Sequence, residues 1–249
     1  MKIILNIATH GNEKIGSLVA KEIEKLNIDK KVIVTQIANK KAFELNKRYI
    51  DQDLNRSFPG KKQGNYEQGI AYELSPIIKS ADIIIDIHST TSELRDAVIV
   101  TRLDKKTQEY IKVIDPKYVL VMNMGGNNAL ISQAKIGITF EYGKDKDSAA
   151  VRKTILGIKK LLAYLSIINF KSNKISNKTV YFNVISRISK PEGYKLLKNI
   201  KNYKLVEKGE IYARNGRKRL VAEENFYPIL FGEKNYKDIF GFKGEVFSE

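Results

Sequence analysis

The chain has 249 residues, 43% of them hydrophobic and 29% charged, so it can bury a full core and has the composition of a soluble globular protein. It contains no cysteine, which excludes disulfides and thiolate metal sites, and any metal must therefore be held by imidazole and carboxylate groups. The formal net charge of +16 suits nucleic acid, acidic lipid or small anionic ligands, but the lysines are spread along the chain rather than gathered into one tract.

The first two thirds of the chain alternate predicted strands with predicted helices, which is typical of an α/β fold. The run KIILNIA (2–8) has the length and branched apolar residues of a strand, and residues 14–26 then repeat apolar residues at helical spacing. The run DIIIDIH (82–88) is almost continuously apolar, as in a sheet covered on both faces. Further strands are predicted at 32–38, 97–101, 118–123 and 137–142, and further helices at 66–81 and 148–168.

The last third of the chain is predicted to be rich in strands. Residues 170–178 are polar and without periodicity, so we place a boundary there, between domains 1–170 and 171–249. Short strands are predicted beyond it at 179–189, 208–214, 218–224 and 226–232, with the turn dipeptide NG at 215–216. The expected architecture is an α/β mixed sheet flanked by helices, followed by a small C-terminal β-rich domain.

Three polar side chains follow predicted strands of the first domain. The only two histidines are His10, after the first strand, and His88, at the end of DIIIDIH, while Glu141 ends ITFE. In open, mostly parallel sheets, ligands bind beyond the carboxyl ends of the strands. These three residues are therefore candidates for one site.

The spacing of His10 and Glu13, together with His88, suggests a metal site. Two imidazoles and one carboxylate form the ligand set of several zinc hydrolases. In these enzymes the open position on zinc holds a water molecule, whose pKa the ion lowers to about 7. Each residue alone has a simpler interpretation: H-x-x-E arises often by chance, a glutamate early in a helix suits the helix dipole, and a histidine after a strand is usually structural. The placement of both histidines at one predicted face favours the metal site.

A second polar cluster is RYIDQDLNRSFPG, residues 48–60. It sets Arg48, Asn55 and Arg56 beside Asp51 and Asp53 in a stretch without periodicity. Arginine binds carboxylates through two parallel hydrogen bonds, and asparagine adds a directed one. A surface loop with locally satisfied ion pairs is the alternative interpretation.

Four segments of the sequence together resemble the succinylglutamate desuccinylase and aspartoacylase family, relatives of the zinc carboxypeptidases. THGNE resembles the family's H-G-N-E, RYIDQDLNRSF its R-Y-x-D-x-D-L-N-R-x-F, DIHSTTS its D-x-H-x-T-x-S, and ITFEYG its I-x-x-E-x-G. The segments occur in the family's order across residues 10–143, and the tail segments KGEIYARNG and FYPILFGEKNY are similar more loosely.

The resemblance implies that His10, Glu13 and His88 bind one Zn²⁺ per chain. It implies that Glu141 is the general base, which activates water and then protonates the leaving amine, and that Arg48 polarises the scissile carbonyl and stabilises the oxyanion. Amide hydrolysis needs a nucleophile, stabilisation of the developing charge and a proton for the departing nitrogen, and these groups meet all three needs.

The resemblance also assigns residues to substrate binding. Asn55 and Arg56 match the pair that grips a substrate carboxylate, and Tyr236 matches a tail tyrosine that reaches into the site. The expected partner is thus a small anionic acyl-amino acid.

One departure from the family concerns the acyl-amino acid itself. Aspartoacylases carry an arginine about ten residues before the catalytic glutamate, which binds the second carboxylate of acyl-aspartate, but this sequence has Ile131 near that position. Lys135 and Arg95 are candidates to replace it.

The sequence therefore predicts a zinc-dependent amidohydrolase that deacylates an N-acylated amino acid or similar small carboxylate. A metallocarboxypeptidase-type peptidase and a non-catalytic binding protein on the same fold are the alternatives, and nucleic-acid binding lacks a recognised motif. No apolar run has the length of a signal peptide or a membrane span, so we expect a cytoplasmic protein. The sequence is compatible with a monomer and with a homo-oligomer.

Overall fold

The computed structural model describes residues 1–90, 96–123, 126, 128–145, 147–171, 179–232 and 236–247. Its α-helices in these ranges are α1 (Ile15–Glu24), α2 (Lys40–Glu44), α3 (Tyr66–Ser80), α4 (Lys105–Ile114) and α5 (Ser148–Tyr164). Its strands in these ranges are β1 (Ile3–Ile7), β2 (Ile33–Ile37), β3 (Ile83–His88), β4 (Ala97–Val100), β5 (Tyr118–Val121), β6 (Gly137–Glu141), β7 (Val180–Ser189), β8 (Lys195–Leu196), β9 (Ile211–Asn215), β10 (Lys218–Val221), β11 (Tyr227–Ile229) and β12 (Ile239–Phe247). None of these helices combines the length and apolar character that a bilayer crossing requires.

Nine strands form one mixed sheet in the order β11-β12-β7-β5-β4-β6-β3-β1-β2. The neighbours β2, β1, β3 and β6 are parallel, whereas β4 runs antiparallel to β6. A separate antiparallel sheet contains β8, β9 and β10. The predicted α/β fold, with a mixed sheet, flanking helices and a β-rich C-terminal part, is confirmed.

The C-terminal strands continue the large sheet. β7 pairs in parallel with β5, and β12 and β11 follow outside β7 in antiparallel order. Strands from beyond residue 170 therefore belong to the same sheet as β1. The division into domains 1–170 and 171–249 stays a prediction.

Alternate residues of the buried strands separate two layers of the molecule. In β3, Ile83, Ile85 and Ile87 pack with residues of α1, α4 and α5 in one hydrophobic cluster. Ile84 packs with α3 in a different cluster, and Asp86 and His88 follow it at the same two-residue spacing. Because successive side chains of a strand point to opposite faces, Asp86 and His88 lie on the α3 face of the sheet.

The sequence did not predict α2, α4, β8 and β12. In α4, lysines and polar residues outnumber the apolar residues that it buries, so the segment is polar as a whole although its buried residues recur at helical spacing. In β12, Gly241 and Gly244 interrupt the apolar pattern. A β-carbon on Gly241 would lie 2.4 Å from Cδ1 of Phe231, so the close approach of these segments requires glycine there.

The buried carboxylate of Glu67, on α3, holds the loop that follows Arg48. It accepts hydrogen bonds from the backbone nitrogens of Ile50 at 2.6 Å, Asp51 at 2.9 Å and Gln52 at 3.1 Å, and from Nδ2 of Asn39 at 3.0 Å. Four donors converge on one fully buried side chain. This single residue therefore fixes the position of the loop that follows Arg48 relative to α3.

We expect Glu67→Gln to lower the free energy of unfolding by roughly 2–4 kcal/mol, because an amide nitrogen would then face backbone N–H donors and leave them unsatisfied. Urea denaturation of both proteins measures the difference. Glu73→Gln, an exposed position on the same helix, is the matched control and should stay within about 0.5 kcal/mol of the wild type. Equal stability of Glu67→Gln and the wild type would show that the carboxylate is not what holds this loop.

Candidate metal centre and active site

The parallel register of three strands brings the candidate residues together. β1 and β6 flank β3, and the pairing places Ile7 opposite Ile87 and His88 opposite Glu141. His10 lies three residues beyond the end of β1. The carboxyl ends of these strands therefore meet at one edge, as the sequence predicted.

His10, Glu13 and His88 form a compact buried cluster. Oε1 of Glu13 lies 2.7 Å from Nδ1 of His10, and Oε2 lies 3.0 Å from Nδ1 of His88. The two imidazole centroids are 4.9 Å apart, with the rings edge to face. One ligand atom from each residue lies within 4.8 Å of the other two, so the cluster can hold a metal ion.

The outer nitrogens of both imidazoles face carboxylates. Nε2 of His88 lies 2.8 Å from Oδ2 of Asp86. Nε2 of His10 lies 3.1 Å from Oδ1 of Asp53 and 2.9 Å from Nη2 of Arg48. Carboxylates commonly fix the tautomer and ring orientation of metal-binding histidines in this way. The residues present therefore fit a metal bound through the Nδ1 atoms. The sequence did not predict a role for Asp86, although its D-x-H spacing from His88 was the available signal.

Asp86 is itself held by buried polar groups. Its Oδ1 accepts hydrogen bonds from Nδ2 of Asn6 at 2.7 Å and from the hydroxyl of Thr9 at 2.9 Å. All three side chains are buried beneath His88. This layer gives the imidazole a fixed support inside the sheet.

Electrostatics of the cluster favour charged forms. Burial opposes ionisation of His88, but the carboxylates of Asp86 and Glu13 outweigh it and hold the pKa of His88 well above its ordinary value. Burial likewise opposes ionisation of Glu13, yet His10 and His88 hold the pKa of Glu13 well below its usual range. The carboxylate of Glu13 is thus deprotonated, as a metal ligand must be, whereas His88 would release a proton when a metal binds.

Gly11, between His10 and Glu13, allows α2 to approach the cluster. A β-carbon there would lie 2.1 Å from the carbonyl carbon of Ala42. The backbone nitrogen of Gly11 also donates to the carbonyl oxygen of Arg48 at 3.1 Å. A side chain at the glycine of H-G-N-E would therefore clash with α2. The hydrogen bond from Gly11 also holds the backbone of Arg48 next to the site.

Arg48 lies beside the cluster with its side chain 42% exposed to a cavity of about 720 Å³. Its Nη1 is 3.4 Å from Oε1 of Glu13, and its Nη2 is 3.3 Å from Oδ2 of Asp53. The carboxylates of Glu13 and Asp53 therefore hold the guanidinium of Arg48 next to the metal cluster.

Glu141 lines the same cavity and is partly exposed. Burial raises the pKa of Glu141 to about 7, against the opposing effect of His88. Within the described ranges its carboxylate has neither a hydrogen bond nor an ion pair.

Asn55 and Arg56 line the cavity from a 3-10 turn, Leu54–Arg56, whose amino end is capped by the Asp53 side chain. Oδ1 of Asn55 accepts a hydrogen bond from the backbone nitrogen of Leu130 at 2.9 Å, which ties this turn to the next wall segment. Nη1 of Arg56 donates to the carbonyl oxygen of Asn55 at 2.8 Å. The exposed guanidinium keeps further donors toward the cavity.

The C-terminal part supplies another wall of the cavity, which includes Tyr236 and Arg187. The sequence singled out Tyr236 as a candidate but not Arg187. Lys135 does not replace the missing arginine, because its Nζ lies 3.3 Å from Oδ1 of Asp82, next to the amino end of β3 and remote from the cavity. Arg95 lies outside the described residues. Ile131 is buried and contributes an apolar surface to the wall.

Comparison with known proteins identifies relatives of the chain. The model of the succinylglutamate desuccinylase/aspartoacylase catalytic domain matches residues 1–165. A probable aspartoacylase from Nostoc sp. is 32% identical over 154 residues, which cover 54% of this chain and 52% of the relative, so the chain spans about half the length of that relative. An N-acyl-aromatic-L-amino acid amidohydrolase (carboxylate-forming) from Xenopus tropicalis is 26% identical over 94% of this chain and 89% of its own.

Solved structures share the fold. Murine aminoacylase 3 matches with a TM-score of 0.79 at 17% identity, covering 99% of this chain and 95% of the mouse chain. A succinylglutamate desuccinylase/aspartoacylase from Rhodobacter sphaeroides matches with a TM-score of 0.76 at 16% identity, covering 100% of this chain and 86% of its own. The family model matches the chain from β1 through α5. The chain therefore belongs to the succinylglutamate desuccinylase/aspartoacylase family.

Proposed function

We propose that this protein is a zinc-dependent amidohydrolase that removes the acyl group from an N-acylated amino acid or a similar small carboxylate. The observation that carries the proposal is the buried cluster of His10, Glu13 and His88, which lines one cavity with Glu141 and Arg48. The names of the relatives, an aspartoacylase and an N-acyl-aromatic-L-amino acid amidohydrolase, agree with this reaction.

The ligand set favours zinc, with one ion per chain held by His10, Glu13 and His88. Three protein ligands leave room for water or substrate, as catalytic zinc sites require. When bound, zinc supplies a Lewis acid that polarises the scissile carbonyl and favours ionisation of water at neutral pH.

Glu141 is the proposed general base and acid. Its carboxylate takes a proton from the attacking water and passes it to the departing nitrogen, so that the C–N bond breaks and a carboxylate and a free amine form. The elevated pKa of Glu141, about 7 because of burial, suits a group that must accept and then release a proton near neutral pH.

The proposed roles of the remaining residues follow from their charge and their place in the cavity. Arg48 donates to the carbonyl oxygen as negative charge develops there, and Glu13 and Asp53 hold its guanidinium in place. Asn55 and Arg56 hold the substrate carboxylate, and Tyr236 closes the opposite side of the cavity. The cytoplasmic location stays a prediction.

Replacing His10 or His88 with alanine should lower the zinc content sharply from about one ion per chain, because each change removes one of three protein ligands. Elemental analysis after dialysis of zinc-loaded protein measures it. Glu141→Gln is the control and should keep its zinc. If both alanine variants hold as much zinc as the wild type, the ion binds elsewhere.

The zinc-loaded wild type should hydrolyse N-acetyl or N-succinyl amino acids in preference to dipeptides, with release of the free amine. Glu141→Gln should lower kcat about 10² to 10⁴-fold while zinc stays bound, since the amide keeps the shape of the side chain but cannot accept a proton from water. A mass-spectrometric assay of product formation measures both. Preferential cleavage of dipeptides would favour a peptidase, no turnover of either class would favour a binding protein, and near wild-type turnover by Glu141→Gln would refute the base assignment.

Arg56→Lys should lower kcat/KM for an N-acetyl amino acid by roughly 30 to 1000-fold, on the order of 2–4 kcal/mol, because an ammonium cannot reproduce the two parallel hydrogen bonds of a guanidinium. The corresponding N-acetyl amino acid amide, which lacks the α-carboxylate, should be a poor substrate of both proteins. Arg214→Lys, at an exposed position of β9, is the matched control and should leave kcat/KM unchanged. Equal cleavage of acid and amide by the wild type would reject the carboxylate grip.

A further inference from the structure

Tyr203 combines two features that are unfavourable for stability. Its hydroxyl oxygen is buried and has no hydrogen-bond partner among the described residues. Its backbone adopts φ +63°, in the left-handed region that bulky side chains rarely occupy. Such features persist where the surrounding structure enforces them, and they concentrate at functional sites.

The surrounding structure does enforce this conformation. The backbone nitrogen of Tyr203 donates to the carbonyl oxygen of Pro228 at 2.9 Å. The preceding residue, Asn202, donates from Nδ2 to the carbonyl oxygen of Phe231 at 3.0 Å and accepts at Oδ1 from the backbone nitrogen of Phe231 at 2.6 Å. Three hydrogen bonds therefore fasten this loop to β11 and to the segment that follows it.

These contacts set the Tyr203 ring beside the strand end that carries Glu141. The sheet register places Glu141 opposite Ala97, and Ala97 opposite Tyr118. The Tyr203 ring stacks on Tyr118 with centroids 4.1 Å apart and an interplanar angle of 14°. Ala97, Tyr118 and Tyr203 belong to one apolar cluster, and neighbouring strands are only about 4.8 Å apart, so the Tyr203 ring lies over the face of the sheet from which Glu141 projects.

The two neighbours are chemically complementary. The Tyr203 hydroxyl has an unused donor, and the Glu141 carboxylate has no hydrogen bond within the described ranges. Burial, together with the negative charge of Glu141, raises the pKa of Tyr203 well above its ordinary value, so the hydroxyl keeps its proton. A donor and an acceptor, each without a hydrogen-bond partner among the described residues, thus belong to the same face of the sheet.

We propose that Tyr203 is a positioning residue for Glu141: during the reaction its hydroxyl donates a hydrogen bond to one oxygen of the Glu141 carboxylate. A rotation of the glutamate side chain brings the two together. The other carboxylate oxygen then takes the proton from water and returns it to the departing nitrogen in a fixed plane, while Tyr203 keeps its own proton throughout. A third group that orients the base is the arrangement found in many hydrolases. The inference rests on the proposed role of Glu141.

Tyr203→Phe tests it, since the variant keeps the ring and removes only the hydroxyl. We expect kcat to fall about 10 to 100-fold, with KM within about threefold and zinc content unchanged, because a hydrogen bond to a charged group is lost in the reacting complex. The melting temperature should be equal or higher, because an unsatisfied buried hydroxyl is gone. Tyr110→Phe, buried among the helices on the opposite face of the sheet, is the matched control and should leave kcat and KM unchanged.

A double-variant cycle separates positioning from packing. In the Glu141→Gln background, Tyr203→Phe should have little further effect on the residual rate, because the residue acts through the carboxylate. The same fold loss in both backgrounds would overturn the proposal, as would wild-type kcat or a lower melting temperature in the single variant.

The bound state gives a readout that does not depend on turnover. In a crystal structure of the zinc-loaded wild type with acetate and methionine, Oη of Tyr203 should lie about 3 Å from a carboxylate oxygen of Glu141. A separation beyond about 4 Å would overturn the proposal. A wild type that cleaves no acyl-amino acid would reject the proposed function instead, and the distance would still decide whether these two groups meet.

Discussion

The parallel register of β1, β3 and β6 is the constraint on which the rest of the site depends. It places His88 directly opposite Glu141 and aligns the end of β1 with the end of β3. A slip of β3 by one residue would turn Asp86 and His88 toward α1, α4 and α5, and Ile87 toward the cavity. The burial of Ile83, Ile85 and Ile87 under the helices therefore aims His88 at the same time, so the packing energy of the sheet also sets the geometry of the site.

The charges beneath the cavity form a second level of organisation. An isolated buried carboxylate or imidazolium is costly, whereas Asp86, Glu13 and Asp53 alternate with His88, His10 and Arg48 so that each has an opposite charge nearby. Removing one member leaves its neighbours uncompensated in a low-dielectric environment. The cluster therefore behaves as a unit, and ligands that bind it also stabilise the folded chain.

The sequence predicted β1, β3, α3 and α5 and the candidate residues at strand ends because these follow from local periodicity and from motifs. It did not predict Glu67 as the support of the Arg48 loop, Arg187 in the cavity wall, or the stack of Tyr203 on Tyr118. Each of these depends on contacts between residues far apart in the chain, which no local pattern encodes. Lys135 shows the converse. It is close in sequence to Glu141, but β6 lies between them, so Lys135 pairs with Asp82 at the amino ends of the strands, opposite the end that carries the site.

The pairing of β7 with β5 has a consequence for synthesis of the protein. β5, with the sequence YVLV, ends at Val121, and its partner β7 begins at Val180. One edge of β5 therefore stays unpaired until about 60 further residues have been synthesised. At typical elongation rates that interval lasts on the order of 3 to 12 s. An apolar edge with free backbone donors and acceptors is a template for pairing between chains, so aggregation of the nascent chain is most favoured during this interval.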